Sequence, residues 1–310
     1  MRQRMVVGGL VLMIGLYLTG CGSSGPSLTG AELAKKYPDK KYVQIDGVSL
    51  HYEQEGLGRP LILLHGIPTY FPLWRNLTPA LTYGNTIYNL DLMGFGLSEK
   101  PQNQTYSLDT YVGQLSKFID NFHLENSILV GHDIGGVIAT LYTLHNPGKV
   151  RKLILMDAPL YSAAPPLAVR LLRTRLIGDF FTGDWFLERI LRGGMVKQEL
   201  MTDAALKDYL KPYHDDPGAR SALLKCVREL ELRPALENEI QPNLGKIQVP
   251  TLIVWGDGDP YVPLDFGKKL DQDIPNSDFT VILRSGHFIQ EERPEEVRAV
   301  LKEFIDKEGK

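Results

Sequence analysis

Three side chains in this 310-residue chain have the type and order for covalent catalysis: Asp133, Asp259 and His287. Asp133 sits in Gly131-His132-Asp133-Ile134-Gly135-Gly136. An apolar run at 127–130 precedes it, and Val137, Ile138, Leu141 and Leu144 follow at helical spacing. Glycines on both sides of one reactive residue, between strand and helix, describe a turn so sharp that only small neighbours let it close. Taken alone, this stretch also reads as an ordinary turn with an aspartate N-cap. A carboxylate in such a turn is ionised at neutral pH and needs no base to activate it. It can displace a leaving group at saturated carbon and form an ester, which water must then cleave. His287, after Ser285-Gly286, is the candidate base for that water. Asp259, in Trp255-Gly256-Asp257-Gly258-Asp259, is the candidate acid that orients the imidazole. Asp257 and Asp157 are the alternatives for that role.

These residues must be delivered by strands. Residues 42–45 and 48–52 flank Asp46-Gly47 and read as a hairpin. Apolar runs at 61–64, 85–90, 127–130, 151–156, 249–255 and 279–283 suit strands buried on both faces of a parallel sheet. Helical patterns cover 106–122, the stretch after Asp133 to about 145, and 294–306. The alternation predicts a doubly wound sheet with right-handed crossovers. It pauses between residues 159 and 234, where helical patterns occur without strands. His65, Asp133, Asp157, Asp257, Asp259 and His287 all fall just past strand ends, the edge where open α/β sheets bind ligands.

Elbow, His65-Gly66 turn, acid loop and late Gly286-His287 occur in the order nucleophile, acid, histidine. In this the chain resembles the α/β-hydrolase fold over nearly all of residues 40–306, with Asp in place of Ser. The resemblance implies a mostly parallel doubly wound sheet with an inserted helical cap. The core is then 40–158 and 235–310, and the cap 159–234. It also implies an oxyanion hole from the backbone N–H groups of Ile67 and Ile134. His65 is expected to structure that turn, His132 to pack beside the elbow, and Cys226 to be an inert buried thiol.

Within the fold, His65-Gly66-Ile67-Pro68-Thr69, Leu73-Trp74-Arg75-Asn76 and 91–101 resemble haloalkane dehalogenases. Those enzymes cradle the leaving halide with a Trp after the nucleophile and usually an Asn after His-Gly. Here both positions are isoleucine, Ile134 and Ile67, which cannot donate to a halide. Some secreted bacterial epoxide hydrolases share the Ile after the aspartate. They place cap tyrosines on the opening oxygen, for which Tyr161, Tyr209 and Tyr213 are the candidates. The expected activity is therefore hydrolysis of a small apolar electrophile through an Asp133-alkyl ester, of the epoxide hydrolase or haloalkane dehalogenase type. The rival readings are a carboxylic-ester or C–C bond hydrolase and a non-catalytic lipid-anchored binding protein. No metal or organic cofactor is implied, because Asp and His can carry every step. Phe180, Phe181, Trp185 and Phe186 suggest an aromatic helix over an apolar pocket.

The chain is 43% hydrophobic with net charge −3, ordinary for a large α/β domain and without the basic footprint of a nucleic-acid partner. Two cysteines make no disulfide framework. Arg2 and Arg4 precede an uncharged apolar run at 5–18 that ends in Leu18-Thr19-Gly20-Cys21. This resembles a bacterial lipobox. It implies a signal peptide over 1–20, lipidation of Cys21 and a tether over 21–39. The expected location is then the cell envelope, at the outer membrane or facing the periplasm, with the membrane as a partner through Cys21.

Overall fold

The computed structural model describes residues 25–174 and 178–307. Cys21 and the signal-like segment lie outside them. Eight strands form one sheet: β1 (Lys41–Ile45), β2 (Val48–Gly56), β3 (Arg59–Leu64), β4 (Asn85–Leu90), β5 (Ser127–His132), β6 (Val150–Met156), β7 (Thr251–Gly256) and β8 (Ser277–Ile282). Their spatial order is β1-β2-β4-β3-β5-β6-β7-β8. β1 and β2 pair antiparallel across the Asp46-Gly47 turn, both of whose residues have positive φ. β2 is also antiparallel to β4, and every pairing from β4 onward is parallel.

Helix α1 (Gly30–Lys36) opens on a capping box between Thr29 and Glu32. Two long helices cover the sheet: α2 (Leu108–Phe122), which packs on β1 and sets Phe118 against Tyr52 and Tyr88, and α3 (Ile134–His145), which packs on β5 and β6. The segment after β6 carries α4 (Leu167–Arg173), α5 (Asp184–Gly193), α6 (Asp203–Asp215) and α7 (Ala219–Glu229), with no strand among its described residues. The core resumes at β7 and continues through α8 (Leu264–Asp273), β8 and α9 (Pro294–Asp306).

Two boundaries differ from the sequence reading. β7 begins at Thr251, not 249, because Pro250 has no N–H to give the ladder; its carbonyl instead accepts from Leu153 N at 3.0 Å. A short helix, Ile289–Glu292, follows His287 directly and had no periodic signal. Both of its glutamates are buried. Glu291 takes a bidentate pair from Arg75 at 2.7 and 2.8 Å and a hydrogen bond from Tyr209 of the cap at 2.5 Å. Glu292 accepts from Val196 N at 3.2 Å and Lys197 N at 2.7 Å in the cap, and from Gly286 N at 2.5 Å beside His287. Lys100 and Asp216 add a buried ion pair between core and cap, 3.4 Å apart. Charges this deeply buried are tolerated because each is met by a partner or by several donors. Glu291 and Glu292 fix one half of the cap to the loop that carries the histidine, and Lys100 ties it to the loop after β4.

Candidate active site

The register aligns the strand ends: Leu64 pairs with Gly131, Gly131 with Leu155, Met156 with Val254 and Gly256 with Ile282. The loops after β3, β5, β6, β7 and β8 therefore meet at one edge.

Asp133 occupies the turn between β5 and α3 with φ 52° and ψ −125°, a region that side-chain-bearing residues avoid. Its surroundings over-determine it. Asp133 N donates to Met156 O at 3.1 Å, and Gly136 N donates to Asp133 O at 3.0 Å. A Cβ at Gly135 would lie 2.2 Å from Leu64 O, and one at Gly131 would lie 2.4 Å from Gly135 O. Glycine is required at both. The Asp133 carboxylate accepts from Ile67 N at 3.0 Å through Oδ2, and Ile134 N also donates to the carboxyl group. Burial pushes its pKa above the ordinary carboxylate range. His287 and the two N–H groups pull the other way without cancelling the shift.

His287 is 3% exposed. Its Nδ1 lies 2.8 Å from Asp259 Oδ2, and its backbone N–H donates to Gly194 O of the cap at 2.6 Å. With Nδ1–H committed to a carboxylate, Nε2 is the nitrogen left for the reacting side. Burial alone would lower the imidazole's pKa; Asp259 and Asp133 outweigh it and hold the pKa above the usual histidine value. Asp259 is anchored in turn, since its Oδ1 accepts from Tyr261 N at 2.7 Å and Val262 N at 3.0 Å. Of the three acids weighed in the sequence, Asp259 is the one bonded to His287. Asp257 is exposed and accepts from Ser285 N at 3.2 Å. Asp157 is fully buried at the end of β6 and accepts from Gly256 N at 2.9 Å.

Two neutral histidines brace the frame. His65 donates from Nδ1 to Gly66 O and accepts from Leu92 N at Nε2, both at 2.9 Å, which orients the Gly66-Ile67 turn. Burial lowers its pKa. His132 Nε2 donates to His287 O at 2.8 Å; burial, with His287 beside it, holds His132 well below the usual histidine pKa. Cys226 is buried, its Sγ 3.3 Å from the Tyr111 hydroxyl, and burial pushes the thiol up to about 12, which leaves it inert.

Asp133 and His287 open into a cavity of about 580 Å³ between core and cap, lined by Ile67, Ile134, Leu172, Leu187, Leu223 and Val227 among other apolar groups. The cap tyrosines fall differently from the sequence expectation. Tyr161 lines the cavity, but its hydroxyl donates to Asp273 at 2.7 Å. Tyr209 is buried away from it, donating to Glu291, and Tyr213 is not among the lining residues; its hydroxyl lies 3.4 Å from Pro68 O. Tyr261, which the sequence did not single out, also lines the cavity and donates to Ile190 O at 2.7 Å. Each hydroxyl has one hydrogen to give, and each has given it elsewhere. The aromatic run does not roof the pocket either. Phe181, Trp185 and Phe186 pack on one another, while Leu187 and Ile190 of the same segment reach the cavity. The side chain of Phe180 lies outside the described residues. A larger open depression of about 790 Å³ borders α7, lined by charged groups such as Lys225 and Glu229, but none of the expected site residues lines it.

The sequence missed Arg75, Glu291 and Glu292 as structural partners of this site. Only the Glu291-Glu292 pair so soon after His287 was a visible signal.

An anion at a strained turn, two backbone donors on it, and an imidazole held by a second carboxylate form an arrangement that can make and cleave an ester. Comparisons with known proteins show what the chain as a whole is similar to. Over 86% of its length the chain is 29% identical to a cis-3-alkyl-4-alkyloxetan-2-one decarboxylase of Shewanella oneidensis, covering 88% of that protein. It is 27% identical over 81% of its length to haloalkane dehalogenase 2 of Mycobacterium tuberculosis, covering 90% of it. Its fold superposes on a haloalkane dehalogenase structure from Agrobacterium tumefaciens C58 with a TM-score of 0.77 at 24% identity, covering 86% of this chain and 96% of that one. The profile of the alpha/beta hydrolase family matches residues 61–300, more than half of the chain, and with the sheet order and the elbow described above this makes the chain a member of the alpha/beta hydrolase family.

Proposed function

We propose that this hydrolase acts on apolar electrophiles through an ester formed between Asp133 and a saturated carbon of the substrate. Water activated by His287, which Asp259 orients, then cleaves the ester at its carbonyl carbon, and the N–H groups of Ile67 and Ile134 stabilise the tetrahedral oxyanion. The observation that carries this reading is the aspartate at the elbow with Ile67 N on its carboxylate at 3.0 Å. A serine-type ester or C–C bond hydrolase needs a neutral hydroxyl at that position, and none is there.

The cavity also bears on the leaving group. A halide needs donors where Ile67 and Ile134 stand. An epoxide leaves an alkoxide, and the tyrosine hydroxyls at the cavity are donated elsewhere. A leaving group stable without such help fits better, and a strained four-membered lactone supplies one. When Asp133 attacks its ring carbon, the C–O bond breaks and the pair leaves on a resonance-stabilised carboxylate; ester hydrolysis then releases a hydroxy acid. The Shewanella oneidensis relative is named for the same ring, as its decarboxylase and not its hydrolase. The test is a panel of matched chain length: a 3,4-dialkyloxetan-2-one, a 1,2-epoxyalkane and a 1-bromoalkane. The lactone is expected to turn over with at least about tenfold higher kcat/KM, corresponding to about 1.4 kcal/mol. Preference for the bromide or the epoxide would overturn the leaving-group assignment.

We also propose that the protein is lipid-anchored through Cys21 in the cell envelope, on the strength of Leu18-Thr19-Gly20-Cys21 after a basic, then apolar, segment. Labelled palmitate fed to expressing bacteria is expected to enter the wild-type chain and not Cys21→Ser. Equal labelling of both would reject the anchor.

A further inference from the structure

Asp157 has no part in the mechanism above, yet it is a carboxyl group with no exposed surface at the centre of the site. It follows β6 with φ 47°, fixed there by its N–H on Val254 O at 3.2 Å. Its Oδ1 accepts from Gly256 N at 2.9 Å, while Oδ2 is buried with no donor. The side chain lies within hydrogen-bond reach of Asp259. Two carboxyl groups in contact cannot both carry charge in a dry interior; one keeps a proton. The donors decide which. Asp259 receives three, from Tyr261 N, Val262 N and His287 Nδ1. Asp157 receives one. Asp157, with the fewest donors, is therefore the carboxyl group that keeps the proton, and that proton gives its orphaned oxygen an acceptor.

We infer that Asp157 is a positioning residue: a neutral carboxylic acid that donates a hydrogen bond to Asp259 and leaves Asp259 as the single charge paired with His287. The groups facing Asp157 agree. Burial dominates, and the negative charges of Asp259 and, more weakly, Asp133 add to it, opposed by the N–H of Gly256 alone. A carboxylate that already accepts this bond is a weaker base, so it holds the Nδ1 proton of His287 in place without taking it. The inference builds on the proposed roles of Asp259 and His287. Its test needs no substrate, so an error in the substrate assignment would leave it standing.

The measurement is the titration of the His287 imidazole by ¹H–¹⁵N NMR in the full-length protein, with the resonance assigned by its loss in His287→Gln. Asp157→Asn keeps a donor toward Asp259 and an acceptor for Gly256 N, and its midpoint is expected to stay within about 0.3 pH unit of wild type. Asp157→Leu keeps the size and loses the donor. Asp259 then concentrates its charge on the imidazole, and the midpoint is expected to rise by about half a unit or more. A fall of about one unit or more in Asp157→Asn would show that residue 157 carries a negative charge and would overturn the proposal. An unchanged midpoint in Asp157→Leu would overturn it too. If Asp157→Leu fails to fold, Asp157→Ala, which also lacks the donor, takes its place with the same expected rise and the same overturning result.

Discussion

Replacing Asp133 by alanine is expected to abolish single-turnover product formation, by about 10⁴-fold or more, on any substrate the wild-type enzyme converts. In the proposed mechanism no other anion takes part in the bond-making step, and the neighbouring carboxyl groups are committed, Asp259 to His287 and Asp157 to Gly256 N. The loss is not expected to come from unfolding. The raised pKa of Asp133 means that its charged form is disfavoured by folding, so above that pKa the carboxylate costs stability, and Asp133→Ala should resist urea at least as well as wild type. Rapid-quench kinetics beside a urea melt gives both numbers. Turnover of p-nitrophenyl esters that survives the substitution would point to the rival ester-hydrolase reading. In the wild-type enzyme, single turnover in heavy-oxygen water should deliver unlabelled oxygen from Asp133 to the first product.

His287→Gln is expected to stop the reaction halfway. Alkylation of Asp133 needs no base, so the ester should form and then persist, and the intact protein should gain the mass of one substrate. Breakdown should slow by about 10³-fold or more, in line with the loss of a general base at an otherwise intact oxyanion hole. A non-catalytic binding protein would show no such adduct. The wild-type pH profile carries the matching signature. In the free protein, Asp259 and Asp133 together hold the His287 pKa above the usual value. Alkylation neutralises Asp133, so the pKa falls in the ester and the base becomes available when water is needed. Ester breakdown should therefore rise with pH through a lower midpoint than the His287 titration of the free enzyme. Coincident midpoints would mean that Asp133 does not act on the imidazole.

Much of this site was legible in one dimension because its parts are local. The elbow announces itself through Gly131 and Gly135, whose missing side chains admit the backbone of Gly135 and Leu64. The strands before His65, Asp133, Asp157 and Asp259 are short apolar runs that a parallel sheet requires. What escaped was carried by pairings across long stretches of chain. Tyr209 looked like a cap tyrosine available to substrate; Glu291, 82 residues away, takes its hydroxyl. Tyr161 reaches Asp273, 112 residues on. No spacing rule anticipates which distant acceptor claims a hydroxyl. The choice of Asp259 over Asp257 and Asp157 likewise needed the loop in space, because all three acids follow strand ends.

The amino-acid order alone determined the fold class and put an aspartate, the proposed nucleophile, at the elbow, since an elbow and its strands are specified by neighbours a few positions apart. The folded chain decided which acid serves the histidine and which hydroxyls remain for a leaving group, because a hydrogen given to one partner is withheld from every other.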